Sequence, residues 1–482
     1  MTWNKFITLL DYADGKIILP AVFACGLFAA SHALLKKKDP RAALLWVSIT
    51  LLLPVIGPLT YWLLGVNRIT RRALQWKSNK GDVPEVLCPQ QLASTLLPVP
   101  YNSLLAIEVL SSKVTRLGIT GGNSIEAYHN GETAYPAMLA AINNAQYTVH
   151  LCSYIFDGDG AGSKFIVALT NAAARGVKVR VIVDAMGERY SKHTARKALK
   201  DSDVDIRHYL PLHKAPFINL RNHRKLLVTD GLTAFTGGMN IRTNHCLQMA
   251  PPGKATSDIH FSIKGPAVAD LQRIFLEDWY FISEQIPEGA GLFPDNDFAG
   301  SAFVRAIADG PDSEIRKLET LLHGAMDSAR RRIRIMTPYF VPDRPMITAL
   351  ITAALRGTEI QIVLPAKNNL PFVAWASRAS YWELLAHDIH IYEQPAPFAH
   401  TKLVVVDDLW CLIGSANWDT RSLRLNFELN LSVFDRKLAT NLSNHFDETI
   451  AASKQITLTE ADGRSLPVRL RDSAARLFSP YL

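Results

Sequence analysis

Cysteine is sparse and unpatterned in this chain. The five present, Cys25, Cys88, Cys152, Cys246 and Cys411, form no spaced framework. A disulfide scaffold is therefore not expected, which fits a reducing compartment. No Cys-x-x-Cys occurs, and the closest histidine pair, His387-x-x-His390, has no second pair to complete a zinc set. No Gly-Lys-Ser/Thr follows Thr120-Gly-Gly-Asn123, so that segment reads as a turn rather than a nucleotide phosphate loop. Charge is missing from two further stretches. Residues 17–35 and 42–66 contain no Asp, Glu, Lys or Arg.

Each uncharged stretch is long enough to cross about 30 Å of hydrocarbon, and Trp46, Tyr61 and Trp62 sit near the ends of the second. The expectation is a two-helix transmembrane hairpin within a membrane anchor over residues 1–66. A cleaved signal peptide fits poorly, because a second apolar run follows at once. The loop between the runs, Lys36-Lys-Lys-Asp-Pro-Arg41, carries four basic residues. Seven others, Lys5, Lys16, Arg68, Arg71, Arg72, Lys77 and Lys80, lie on the opposite side. That bias favours a loop facing outward and a cytoplasmic catalytic region. Residues 67–118 read as a basic connector with little fold signal. The net charge of +8 suits an anionic partner, either acidic lipid headgroups or nucleic acid.

What is present is a repeat. Residues 223–230 read His-Arg-Lys-Leu-Leu-Val-Thr-Asp, and residues 400–407 read His-Thr-Lys-Leu-Val-Val-Val-Asp. Gly237 and Gly414 each follow their histidine by 14 residues, and Asn240 and Asn417 each follow by 17. The apolar runs after the lysines read as buried strands. Residues two apart on a strand share a face, so His223 and Lys225 point one way together, as do His400 and Lys402. Each ammonium suits a phosphate oxygen, and each imidazole can act as nucleophile, acid or base near neutral pH. Asn240 and Asn417 follow small-residue turns that allow close approach to an anion. The catalytic motif set is therefore His223, Lys225 and Asp230 with His400, Lys402 and Asp407. Lys225, Asn240, Lys402 and Asn417 are the expected phosphate binders. Asp230 and Asp407, of opposite parity at the strand ends, read as structural members of the motif rather than bases. Histidines without such an echo, His245 among them, read as structural. Tyr154, Phe156, Tyr339 and Phe340 sit at strand ends; core packing is their default.

The two halves also repeat their order of elements. Thr148–Phe156, a helix, Gly176 and Val177–Asp184 match Ile333–Phe340, a helix, Gly357 and Thr358–Leu364. Alternating strands and helices predict an α/β fold of two α-β-α sandwich halves about a pseudo-twofold axis, residues 119–290 and 291–482, with both motifs in one cleft.

The paired His-x-Lys-x4-Asp motifs with Asn240 and Asn417 resemble the signature of the phospholipase D superfamily. The flanks, Ile218-Asn-Leu-Arg-Asn-His223, Thr236-Gly-Gly-Met-Asn240 and Gly414-Ser-Ala-Asn417-Trp-Asp-Thr-Arg-Ser422, resemble bacterial cardiolipin synthases over nearly the whole chain. The resemblance implies that His223 is the nucleophile, His400 the acid, and that Asp258 orients His223 while Glu428 orients His400. It implies transfer of a phosphatidyl group between two phosphatidylglycerols, giving cardiolipin and glycerol, in a bacterial inner membrane. No metal or other cofactor is expected, since two ammonium groups already face the phosphate and no convincing ligand cluster is visible. A hydrolytic phospholipase D, a membrane-tethered nuclease and a non-catalytic lipid-binding scaffold are the alternatives. The intact double motif argues against the scaffold, and the apolar segments favour lipid over nucleic acid. Only the resemblance separates a lipid hydroxyl from water as acceptor. Oligomeric state is not legible.

Overall fold

The computed structural model describes residues 19–37, 39–66, 96–209, 220–311 and 316–479. The chain divides into two compact units, Met1–Arg72 and Ala73–Leu482.

The first unit contains a helix Leu19–Lys36, a second helix Pro40–Leu52, and two short turns of helix, Ile56–Thr60 and Tyr61–Gly65. Asp39 caps the second helix, its carboxylate accepting the Arg41 N–H at 2.9 Å. His32 and the Tyr61 hydroxyl are 2.7 Å apart between the helices. Apolar side chains such as Phe28, Leu35, Leu44 and Leu52 lie on the outside. Among the described residues no helix is long and apolar enough to cross a membrane. The expectation of two spanning helices is corrected here. The apolar run 42–66 breaks at Leu53, which leaves helical geometry ahead of Pro54. The helix that remains has 13 residues and reaches only about 20 Å at ~1.5 Å per residue. An outward-facing loop requires two crossings, and Lys5, Lys16, Lys38, Arg68, Arg71, Arg72, Lys77 and Lys80 lie outside the described residues.

The second unit is built on one 16-stranded mixed sheet flanked by helices. Its two halves meet along antiparallel strands Thr120–His129 and Ala302–Asp309. Outward from that junction both halves run in the same order. First comes the strand carrying the acidic residue or following it, Ile259–Lys264 or Asn426–Phe434. Then comes the hairpin strand Thr233–Gly237 or Trp410–Gly414, and next the motif strand Leu226–Thr229 or Leu403–Val406. Beyond these lies a parallel pair, Thr148–Ser153 with Lys178–Asp184, or Arg332–Met336 with Glu359–Pro365. Both motif strands are buried on both faces, as their unbroken apolar runs require. Helices Ala161–Ala174 and Arg344–Leu355 cover matching positions and end at Gly176 and Gly357, each with φ 89°, a left-handed turn that glycine adopts without strain.

The end of the expected connector is part of the core. Residues Leu105–Thr115 form a helix, and Leu104 and Ile107 are buried with Leu318, Leu321 and Leu322 of the second half. Glu108 pairs at 2.8 Å with Arg305, whose side chain is fully buried. Residues 67–95 lie outside the described residues. The carboxy-terminal helix Leu466–Arg476 docks on helix Pro371–Arg378, with Ala475 buried and the Arg471 guanidinium 4.5 Å from the Trp375 ring centre.

Candidate active site

The site is made by two short parallel pairings that cross between the halves. Arg221–Asn222 pairs with Asn426–Phe427, and Phe398–Ala399 pairs with Thr256–Ser257. Each continues into a motif histidine. The His223 N–H donates to the Phe427 carbonyl at 2.9 Å, and the His400 N–H donates to the Ser257 carbonyl at 2.8 Å. Each histidine therefore lies beside the acidic residue of the opposite half. His223 Nδ1 is 3.1 Å from Glu428, and His400 Nδ1 is 2.7 Å from Asp258 Oδ2. This corrects the expected pairing of Asp258 with His223 and Glu428 with His400. With Nδ1–H held on a carboxylate, Nε2 is the ring nitrogen that remains for chemistry.

The turns ahead of the asparagines are small because the acids occupy that space. A Cβ on Gly238 would lie 2.5 Å from both Asp258 carboxylate oxygens. In the second half Ser415 takes the place of Gly238, and its hydroxyl donates to Glu428 at 2.5 Å. A Cβ on Gly414 would lie 2.3 Å from the Leu429 carbonyl oxygen.

Lys225 and Lys402 are buried beside the histidines. Their ammonium groups donate to the His223 and His400 carbonyls respectively. They act on the cavity as charges from behind its wall. Burial pushes Lys225 down to about 8 and Lys402 down to about 7. Burial, reinforced by both ammonium groups, also holds His223 and His400 below the usual imidazole range, against the pull of Glu428 on His223. Burial raises Asp258, while His223 and Lys225 outweigh burial at Glu428 and hold it low.

Asn240 and Asn417 both line the cavity. The Asn240 side-chain oxygen accepts the Ile155 N–H at 3.1 Å, which leaves its NH2 for the cavity. The Asn417 NH2 is 3.1 Å from the Ser422 hydroxyl, and its oxygen is buried without a partner. Asp230 and Asp407 stand apart from the cavity. Asp230 accepts the N–H groups of Gln146, Tyr147 and Thr148 at 2.7–2.8 Å. Asp407 accepts those of Arg330, Arg331 and Arg332 at 2.8–2.9 Å. Both are clamps on neighbouring strands.

The cavity has a volume of about 430 Å³ and is lined by both histidines. Tyr154 and Tyr339 line it, with the Tyr154 ring 5.0 Å from that of His223, whereas Phe156 and Phe340 are core residues. Its wall carries Arg221, Arg242, Lys254 and Arg421 against a single acid, Asp419, which suits an anionic ligand. The motif reading did not reach these arginines. It also left out His245, which lines the cavity with its ring 5.9 Å from that of His400. A cue exists: His245 follows Asn240 by five residues, as Ser422 follows Asn417. Among the described residues His245, Asp258 and His400 form the one group of three side chains with ligand atoms close enough for a metal. There the Asp258 carboxylate already accepts from His400 Nδ1 and from the Ile259 N–H at 2.8 Å.

Two imidazoles, each braced through Nδ1 by an acid of the other half and backed by ammonium groups, form an arrangement chemically suited to phosphoryl transfer. The chain belongs to the phospholipase D-like cardiolipin synthase family, whose domain model matches residues 138–279 and 322–450. A model described as phospholipase D-nuclease N-terminal matches residues 26–65. The major cardiolipin synthase of Bacillus subtilis is 31% identical, the alignment covering 97% of this chain and 99% of that protein. A cardiolipin synthase of Geobacillus thermodenitrificans is 32% identical, covering 98% and 96%. The phosphatidylserine synthase of Haemophilus influenzae shares the fold, with a TM-score of 0.60 at 14% identity, covering 78% of this chain and all of that one.

Proposed function

We propose that the protein is a cardiolipin synthase that moves a phosphatidyl group from one phosphatidylglycerol to another through a covalent phosphohistidine. The observation that carries this reading is the crossed bracing of His223 and His400 around one cavity. His223 Nε2 attacks the phosphodiester phosphorus as His400 protonates the departing glycerol oxygen. His400 Nε2 then takes the proton from the primary hydroxyl of a second phosphatidylglycerol. That oxygen displaces His223, whose nitrogen recovers its electron pair. Lys225 and Lys402 stabilise the charge at phosphorus, and the Asn240 amide donates to a phosphoryl oxygen. One phosphodiester is exchanged for another, so no nucleotide is consumed.

Lipid, rather than nucleic acid, is favoured by apolar groups at the cavity edge. Leu370 and Val373 line it, and the neighbouring Phe372 packs 5.6 Å from Phe478. Leu466, Leu470 and Leu477 are exposed along the carboxy-terminal helix. Headgroups fill the polar cavity while acyl chains remain outside against these residues. The amino-terminal helical unit has an apolar exterior of its own, which suits contact with lipid. The test is to supply purified protein with phosphatidylglycerol and identify the lipid products by mass spectrometry. Cardiolipin and glycerol are expected, and neither from His223→Ala or His400→Ala. Phosphatidic acid alone would replace this reading with a hydrolytic one.

A further inference from the structure

His245 holds a polar nitrogen that the transfer chemistry does not use. Its Nε2 accepts the Asn240 N–H at 3.3 Å, which puts the ring proton on Nδ1. That Nδ1 is buried and has no hydrogen-bond partner. The residue is 2% exposed, yet it lines the cavity. Buried donors in native structures are paired, so an orphan at a cavity wall points to a ligand atom. Ser422, at the same offset in the other half, is consumed within its own turn: its N–H donates to Asp419 at 2.7 Å and its hydroxyl meets Asn417. The halves therefore differ at this position, and the difference lies beside His400, the histidine that exchanges a proton with the alcohol.

We propose that His245 is a specificity-determining residue that donates its Nδ1–H to a second hydroxyl of the alcohol whose reacting oxygen is served by His400, so that the site selects a vicinal diol such as the glycerol headgroup. A ring nitrogen of His245, one of His400 and an Asp258 oxygen all lie within 4.8 Å of one another, and both histidines line the same cavity. Burial, against the opposing pull of Asp258, lowers the ring to about 3, so it stays a neutral donor that does not compete for the proton. A monohydric alcohol or water leaves the donor unpaired, which is how a site built around a hydroxyl rejects ligands that lack it. In the transfer step the reacting oxygen bonds to phosphorus, the phosphorus–nitrogen bond to His223 breaks, and the hydroxyl proton passes to His400.

The inference rests on the two-step transfer proposed above. It is tested with a nitrophenyl ester of phosphatidic acid as donor, which fixes the intermediate whatever the acceptor. Glycerol and propan-1-ol then compete for it at equal concentration, and the products are counted by mass spectrometry. The wild type is expected to favour glycerol at least fivefold. His245→Phe should remove that preference, and His245→Gln, which keeps an N–H donor, should retain most of it. His245→Met replaces the Phe variant if thermal unfolding shows the latter misfolded. A glycerol-to-propanol ratio unchanged in the folded apolar variant overturns the proposal, as does a Gln variant no more selective than Phe. A wild type that transfers to glycerol here but makes no cardiolipin from phosphatidylglycerol contradicts the synthase reading alone, and the ratio still decides the role of His245. Water as the sole acceptor overturns both.

Discussion

The crossed bracing predicts which variants behave alike. Glu428→Gln should reproduce, in weaker form, the defect of His223 variants, and Asp258→Asn that of His400 variants, although the sequence places each acid in the other histidine's half. Each substitution replaces a charge-assisted hydrogen bond with a neutral one. The charged bond exceeds the neutral one by about 0.5–2 kcal/mol, so activity should fall roughly 2- to 30-fold. The amide can also hold the imidazole in the wrong tautomer, and the corresponding change in a serine-protease triad sets an upper bound of about 10⁴. The assay compares turnover of phosphatidylglycerol with that of a nitrophenyl ester whose departure needs little proton donation. With His223 as nucleophile, Glu428→Gln slows both substrates and delays the phosphohistidine seen by peptide mass spectrometry after quenching. Asp258→Asn slows phosphatidylglycerol but largely spares adduct formation from the nitrophenyl ester. If His400 carries the group, the two acids exchange behaviours together with their histidines. The reasoning is refuted if Asp258→Asn shares the pattern of His223 variants, because the bond that defines the site would then not operate.

Four further outcomes follow from the same geometry. With Lys402 lowered to about 7 and Lys225 to about 8, kcat/KM for an anionic phosphodiester should fall as pH rises through that range; a flat profile to pH ~9 would contradict it. Stability of the ligand-free fold should move the opposite way. The unfolded lysines bind more protons between the lowered values and their normal ~10.4, so thermal melts should rise with pH across that window. Gly238→Ala would press a Cβ against both Asp258 oxygens and should cost activity on the scale of Asp258→Asn, with a smaller loss of nitrophenyl turnover. Activity should also survive exhaustive chelation; a loss restored by one equivalent of a divalent ion would implicate His245, Asp258 and His400 as ligands.

The duplicated motif was legible because four matched offsets and an apolar strand carry the same information twice. The two acids came from the family resemblance, since a strand-end carboxylate by itself reads as an ordinary salt bridge, and their partners were not legible at all. The pairings that cross the halves are two residues long, too short to leave any periodicity. The helix Leu105–Thr115 hid in a polar connector because its apolar face is supplied with partners by residues two hundred positions away. The apolar amino-terminal runs announced helices correctly in kind, yet uncharged length alone passed over the break that Pro54 imposes. His245 was passed over because the repeat departs from symmetry there, and a search for echoes discards what is not repeated.

The crossed acids also bear on how the enzyme comes into being. A nascent chain that has folded only its first half presents His223 without Glu428, which lies 205 residues further on. Its imidazole then lacks the brace that turns Nε2 toward attack. With the roles proposed above, reactivity should appear only when translation has passed the second acid and the halves have joined. A truncated product should then be inert toward the phospholipids around it, and two separately expressed halves should regain activity only by assembling with each other.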